Sequence, residues 1–262
     1  MLILLPPSEG KTAPRRGKPL DLATLTLPAL TAARERVLDA LVGLCSGDPA
    51  EAARVLDVPK SGLGLVDLNA RLRTAPTARA DQVYSGVLYD ALSPATLSTS
   101  ARRRATSRLL VTSSLFGLVG PADRIPAYRL SGDSRLPGLP GLGGVAAHWR
   151  DSLAPAVEEL VGDRLLVDLR SSMYAAFWRP PAALARRVAT VRVLHQVAGK
   201  RQVVSHFNKA TKGRIVRELL EAGAAPRTPV RLAEALRDLG WTVEVDEPGR
   251  GGTRLDVVVS DL

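Results

Sequence analysis

Met1-Leu2-Ile3-Leu4-Leu5-Pro6-Pro7-Ser8-Glu9-Gly10-Lys11-Thr12 opens the chain and decides how the rest is read. The short apolar run predicts a buried strand, and the turn after it carries a hydroxyl, a carboxylate, a glycine and a lysine. Open α/β sheets bind ligands at the carboxyl ends of their strands, so Ser8 and Lys11 are candidate anion-binding groups. Gly10-Lys11-Thr12 matches the end of a phosphate-binding P-loop, but such a loop needs a glycine where Leu5 stands. Prolines 6 and 7 also oppose a loop that wraps a phosphate.

The same pattern recurs further along. Leu109-Leu110-Val111 runs into Thr112-Ser113-Ser114, and Leu165–Leu169 runs into Arg170-Ser171-Ser172-Met173-Tyr174. Residues 188–197 and 202–205 read as strands, the second leading into Ser205, His206, Asn208 and Lys209. If these strands are parallel, Ser8, Lys11, Ser113, Tyr128 and Lys209 gather in one cleft, with Glu9 or Asp123 as the counter-charge of a lysine. Helices are expected over 31–44, from Asp48-Pro49 to about Asp57, over 65–72, near 145–161, from Thr211 to Ala222 and from Pro229 to Leu239. Lys209 and Lys212 then flank a helix start, where free N–H groups favour an anion, and Arg214 and Arg217 point outward from that helix. Trp241–Val245 and Leu255–Val259 alternate with period two and predict a terminal hairpin. The sum is a mixed α/β (α+β) fold. It is read as one domain over 1–262, a single body around a mixed sheet, with a helical insertion at about 30–75.

Composition narrows the partners. The chain has 262 residues and a net charge of +10. Of its 36 bases only six are lysine. The arginine bias fits a GC-rich genome, but the excess over 26 acids favours a polyanion. No apolar run approaches a membrane span, no positive segment precedes the first strand as in a signal peptide, and one cysteine fits a reducing cytoplasm. The three histidines have no metal-ligand spacing and no G-x-S-x-G elbow occurs, so no metal, cofactor or serine-hydrolase chemistry is expected.

Residues 48–72 place Pro59-Lys60-Ser61-Gly62-Leu63-Gly64 between two helices. The unit resembles a helix-hairpin-helix motif, whose glycine hairpin presents backbone N–H groups to phosphate, with Lys60, Gly62 and Gly64 as its contacts. Two ordinary antiparallel helices joined by a glycine turn fit the same residues.

Together these segments resemble the YaaA family, named for a role in peroxide stress. The resemblance spans the chain. It rests on Leu4–Lys11, Val83-Tyr84-Ser85-Gly86, Ser113–Gly117 running on to Pro121-Ala122-Asp123 and Pro126–Leu130, Asp168–Tyr174, and Ser205–Gly213. It implies a cytoplasmic bacterial protein that limits oxidative damage to DNA by keeping free iron low, with a positive cleft for duplex or branched DNA. Phe116 stands where a tyrosine is common in that pattern, and His206-Phe207-Asn208 replaces a more aromatic pair. The leading expectation is DNA binding without sequence preference through Lys60, Lys11, Lys209, Lys212, Arg214 and Arg217. The alternative is an enzyme acting on a nucleobase or nucleotide in the Ser8/Lys11/Ser113/Tyr128/Lys209 cleft. A third is a protein-interaction module whose basic surface reflects codon bias.

Overall fold

The computed structural model describes residues 1–139, 144–197, 200–202 and 204–259. Strands are β1 (Leu2–Leu5), β2 (Ala78–Arg79), β3 (Leu109–Ser113), β4 (Gly117–Val119), β5 (Arg124–Ile125) and β6 (Leu166–Asp168). β7 (Val188–Val197), β8 (Lys200–Gln202), β9 (Thr242–Val245) and β10 (Thr253–Val259) follow. Helices are α1 (Thr31–Cys45), α2 (Pro49–Val55), α3 (Gly64–Ala70), α4 (Ala80–Val83), α5 (Val87–Leu92), α6 (Thr99–Arg108), α7 (Gly144–Val161), α8 (Ser172–Ala175), α9 (Ser205–Glu221) and α10 (Pro229–Asp238).

The main sheet runs β4-β3-β1-β6-β7-β10-β9, with β8 paired to β7. Its middle, β3-β1-β6-β7-β10, is parallel, and β4, β8 and β9 are antiparallel additions. The strands β1 and β3 are buried along their whole length, which explains why both are apolar runs rather than alternating patterns. β6 pairs with only the first three residues of β7, Val188–Thr190, so β7 extends seven residues past the end of β6. That overhang pairs with β10 and β8. Beside it α9 presses Ile215, Val216 and Leu219 into the core.

Most of the expected elements form. The helical insertion is α1, α2 and α3, and the β9–β10 hairpin has the expected antiparallel register. One boundary differs. The chain leaves β8 at Gln202 and is helical from Ser205, so residues 204–205 are not strand and Lys209 and Lys212 lie inside α9. The β-branched pair Val203-Val204 suggests a strand, but the 17-residue helix, which buries a full stripe from Thr211 onward, extends to its start. On α1 Ala32 is exposed, and Ala33 and Arg34 take the inner places.

Two structural devices fix the site. Gly213 lies where α9 crosses α5, and a Cβ there would come within 2.2 Å of Leu88 O. Arg34 is fully buried and donates to Phe116 O, Leu27 O, Thr26 O and Leu118 O. It ties α1 to the β3–β4 hairpin, while Asp123 accepts from Thr26 N, Thr26 Oγ1 and Gly120 N.

Candidate functional site

The turn after β1 is folded on itself. Ser8 Oγ donates to Gly10 O (2.5 Å) and accepts from Ser85 N (3.2 Å), and Thr12 N donates to Val83 O (2.8 Å). Lys11 is thereby turned back over the strand ends. Its Nζ donates to Ser8 O (2.6 Å) and Glu9 O (3.4 Å) and stands 4.2 Å from the centre of the Tyr128 ring and 5.7 Å from that of Tyr84. Among the described residues no carboxylate lies at ion-pair distance from it. The Glu9 side chain is 86% exposed and meets Arg129 Nη1 at 4.0 Å, and Asp123 is committed to Thr26 and Gly120. Burial lowers the Lys11 ammonium to about 7, Arg129 pushes the same way, and Glu9 opposes both.

Beneath the lysine, Ser113 Oγ, Tyr128 OH and Tyr84 OH form a chain with contacts of 2.8 and 3.0 Å. Phe116 N donates to Ser113 Oγ (3.0 Å). Ser113 is a hydrogen-bond partner of Tyr84 as well, so the three hydroxyls can close on one another. Burial raises the pKa of Tyr84 and of Tyr128, so both are neutral phenols at physiological pH. Tyr89 stacks on Tyr84 at 5.4 Å and donates to Pro6 O (2.7 Å), and Tyr174 OH lies 3.3 Å from Ser114 Oγ. All four tyrosines of the chain therefore stand at the carboxyl edge of β1 and β3.

A second lysine sits at the adjacent strand end. Lys212 is buried, and its Nζ donates to Leu169 O (3.0 Å) just past β6. Burial lowers it to about 8, against the pull of Asp168. Asp168 is paired with Arg170 (2.8 Å), whose guanidinium also donates to Trp178 O and Tyr174 O.

The expected residues thus divide. Lys11, Ser113 and Tyr128 are brought together, with Ser8 as the turn's hydrogen-bonding residue. Lys209 is exposed one helical turn before Lys212 on α9, and Arg214 is exposed on the same helix. Lys212 and Arg217 leave the set of free cations. Arg217, expected to point outward, folds back and donates to Leu92 O, Ser93 O, Thr96 Oγ1 and Thr96 O, capping the end of α5. Lys60 and Gly62 lie in a 3-10 turn, Lys60–Gly62, and Gly64 begins α3. Gly62 N donates to Pro59 O (2.7 Å), so that N–H is already used. Leu63 and Leu65 are exposed beside it. Ser205 and His206 begin α9; their side chains lie outside the described residues.

Sequence reasoning missed Asn69. It is fully buried on α3, donates through Nδ2 to Arg129 O (2.7 Å) and accepts from Arg129 N at Oδ1 (2.9 Å). This reciprocal pair fastens the helix after the hairpin to the segment that carries Tyr128. Arg129 itself was also missed; its Nε is buried without a hydrogen-bond partner among the described residues.

Fold and site together define a mixed α/β protein with a lysine–tyrosine–serine cluster at the carboxyl edge of its parallel strands and a glycine hairpin fastened alongside. Family comparison agrees with that class and sharpens it. The model of the family described as peroxide stress protein YaaA matches residues 1–246. A UPF0246 protein of Streptomyces coelicolor is 54% identical over 264 residues, covering both chains in full. One of Corynebacterium efficiens is 41% identical, over 98% of this chain and 100% of its own, and one of Shewanella woodyi is 29% identical over 84% and 86%. The chain belongs to the peroxide stress protein YaaA family.

Proposed function

We propose that this member of the peroxide-stress family binds duplex or branched DNA without sequence preference and in that way limits oxidative damage. The phosphate backbone meets the hairpin at Lys60 and Gly64, the edge of the Lys11 site, and the exposed cations Lys209 and Arg214 of α9. Neutralisation of phosphates and release of their counterions supply the affinity; no base edge is read. The observation that carries this reading is the reciprocal Asn69–Arg129 pair, which holds the hairpin helix against the strand-edge site so that both can face one ligand. The exposed loop residues Arg15, Arg16 and Lys18, which follow Lys11 in the chain, add to the same charge. Lys60→Glu tests it. The variant should keep the melting temperature of the parent, bind a labelled duplex more weakly, and reduce the salt dependence by about one phosphate. Unchanged binding with unchanged melting removes the hairpin from the interface.

A second reading, an enzyme acting on a nucleobase or nucleotide at the same site, is favoured by one observation. Lys11 is a half-buried lysine with no carboxylate partner among the described residues, set beside the linked hydroxyls of Ser113, Tyr128 and Tyr84.

A further inference from the structure

The Lys11 site is built to do more than attract a phosphate. An ammonium held only for charge would face a carboxylate or lie open to water. Lys11 does neither. Its Nζ is held by two main-chain carbonyls and by the faces of two tyrosine rings. The groups facing it are Glu9 and Arg129 on their loops, Tyr84 after α4 and Tyr128; burial and Arg129 favour loss of its proton, and Glu9, the two carbonyls and the ring faces oppose it. Lys212 has a similar shift but is buried and spent on Leu169 O. Beside Lys11 stand the mutually bonded hydroxyls of Ser113, Tyr128 and Tyr84, and Arg129 has a buried Nε–H without an acceptor among the described residues. An amine, a set of hydroxyls and a guanidinium with one unpaired N–H among the described residues therefore stand together.

We propose that Lys11 condenses with an aldehyde carried next to a phosphate, the guanidinium of Arg129 taking the phosphate and the hydroxyl chain supplying the proton. The lone pair of Nζ attacks the aldehyde carbon, the N–C bond forms as the C=O π pair moves to oxygen, and one proton passes from the nitrogen to that oxygen. The resulting neutral carbinolamine expels its hydroxyl as water on taking one proton from the Tyr128 hydroxyl, which regains a proton from solvent. The iminium that remains carries the positive charge that the Tyr128 face, 4.2 Å away, already accommodates in the ammonium. No oxidant or metal enters the balance. Two sources carry this chemistry: the ring-opened sugar of an abasic site in DNA, flanked by phosphates, and a small phosphorylated aldehyde. The first rests on the DNA-binding reading; the second does not.

Borohydride trapping tests it on the full chain. The protein is incubated at pH 7.5 with a duplex holding one abasic site, and separately with pyridoxal 5′-phosphate. Borohydride is added, and the reduced adducts are located by peptide mass. Lys11 should be labelled at least about ten-fold faster than any of the five other lysines, because burial favours its neutral amine while Lys212, the other lysine with a lowered pKa, is buried and held on Leu169 O. Lys11→Arg should remove the adduct. Labelling of Lys11 by the abasic duplex alone assigns the DNA aldehyde, and labelling by pyridoxal phosphate alone assigns a small phosphorylated aldehyde. If neither probe labels Lys11 ahead of the other lysines, the proposal is wrong. A gel shift with the intact duplex, run in parallel, reports on DNA binding by itself. Binding without trapping overturns the condensation and leaves the DNA reading standing. Trapping by pyridoxal phosphate without duplex binding does the reverse. Because mapping is done on the unaltered protein, the result does not depend on a variant folding.

Discussion

Asn69 and the main chain of Arg129 exchange two hydrogen bonds, 2.7 and 2.9 Å long, across 60 residues of sequence. An asparagine amide can mimic a peptide group, so a fully buried Asn69 completes the backbone of an irregular segment that has no strand neighbour there. The consequence is geometric. The helix that follows the glycine hairpin cannot move independently of the segment that carries Tyr128, and through Tyr128 it is fixed relative to Lys11. Asn69→Ala should cost about 1–3 kcal/mol, since it leaves a buried N–H and C=O without partners. Urea unfolding measures this; an unchanged midpoint would mean the pair does not hold the hairpin in place.

Two glycines should behave oppositely. At Gly213 a Cβ meets Leu88 O at 2.2 Å, and backbone cannot yield as a side-chain tip can. Gly213→Ala should force α9 away from α5 and destabilise by about 1–3 kcal/mol. At Gly64 a Cβ has nothing within 4 Å, so Gly64→Ala should change stability by less than about 0.5 kcal/mol. Equal effects in thermal melting would show that the α5–α9 crossing is not as close as described.

Removal of Arg34 should be severe. Four carbonyls from two segments, 26–27 and 116–118, accept from its guanidinium, and burial lowers its pKa to about 10 against the pull of Asp123. Arg34→Leu leaves those carbonyls buried and unmatched and should cost about 3 kcal/mol or more. A variant that melts within a degree of the parent would contradict this role.

Lys11 and Lys212 make stability depend on pH in a defined direction. Both have folded-state pKa values below the 10.5 of a free lysine, about 7 and about 8. Above about pH 7 the unfolded chain therefore binds more protons at these positions than the folded one. Unfolding free energy should rise as pH increases from about 7 toward 10, and the penalty of burying both charges is fully present below about 7. Lys11→Met should flatten the lower part of that rise. Chemical denaturation at pH 6.5, 7.5, 8.5 and 9.5 checks it; a parent whose stability falls steadily over that range would contradict the assignment.

The apolar runs at 1–5, 109–111 and 165–169 were legible because parallel strands buried on both faces need no alternation. Once they are parallel neighbours, the convergence of Lys11 and Ser113 follows from topology. The start of α9 was not legible, since Ser-His-Phe-Asn carries no apolar period and the packed stripe begins only at Thr211. The Tyr84–Tyr128 and Asn69–Arg129 contacts join segments 44 and 60 residues apart, and nothing local in a single sequence announces them. Net charge misled in part. Among the described residues at least eleven arginines, including Arg104, Arg108, Arg217 and Arg237, donate to main-chain carbonyls. Arginine count alone does not separate guanidiniums that hold a chain together from those that face a phosphate.

DNA binding is the central claim, and its salt dependence tests it most directly. One labelled duplex of random sequence is titrated with protein at several salt concentrations between 50 and 300 mM (a range of about sixfold), and the logarithm of the affinity is set against the logarithm of the salt concentration. The account predicts a straight line falling with a slope of about −3 to −5, from roughly three to five phosphates neutralised, and a similar line for an unrelated duplex. No binding at the lowest salt, or an affinity that does not change across the range, would contradict it.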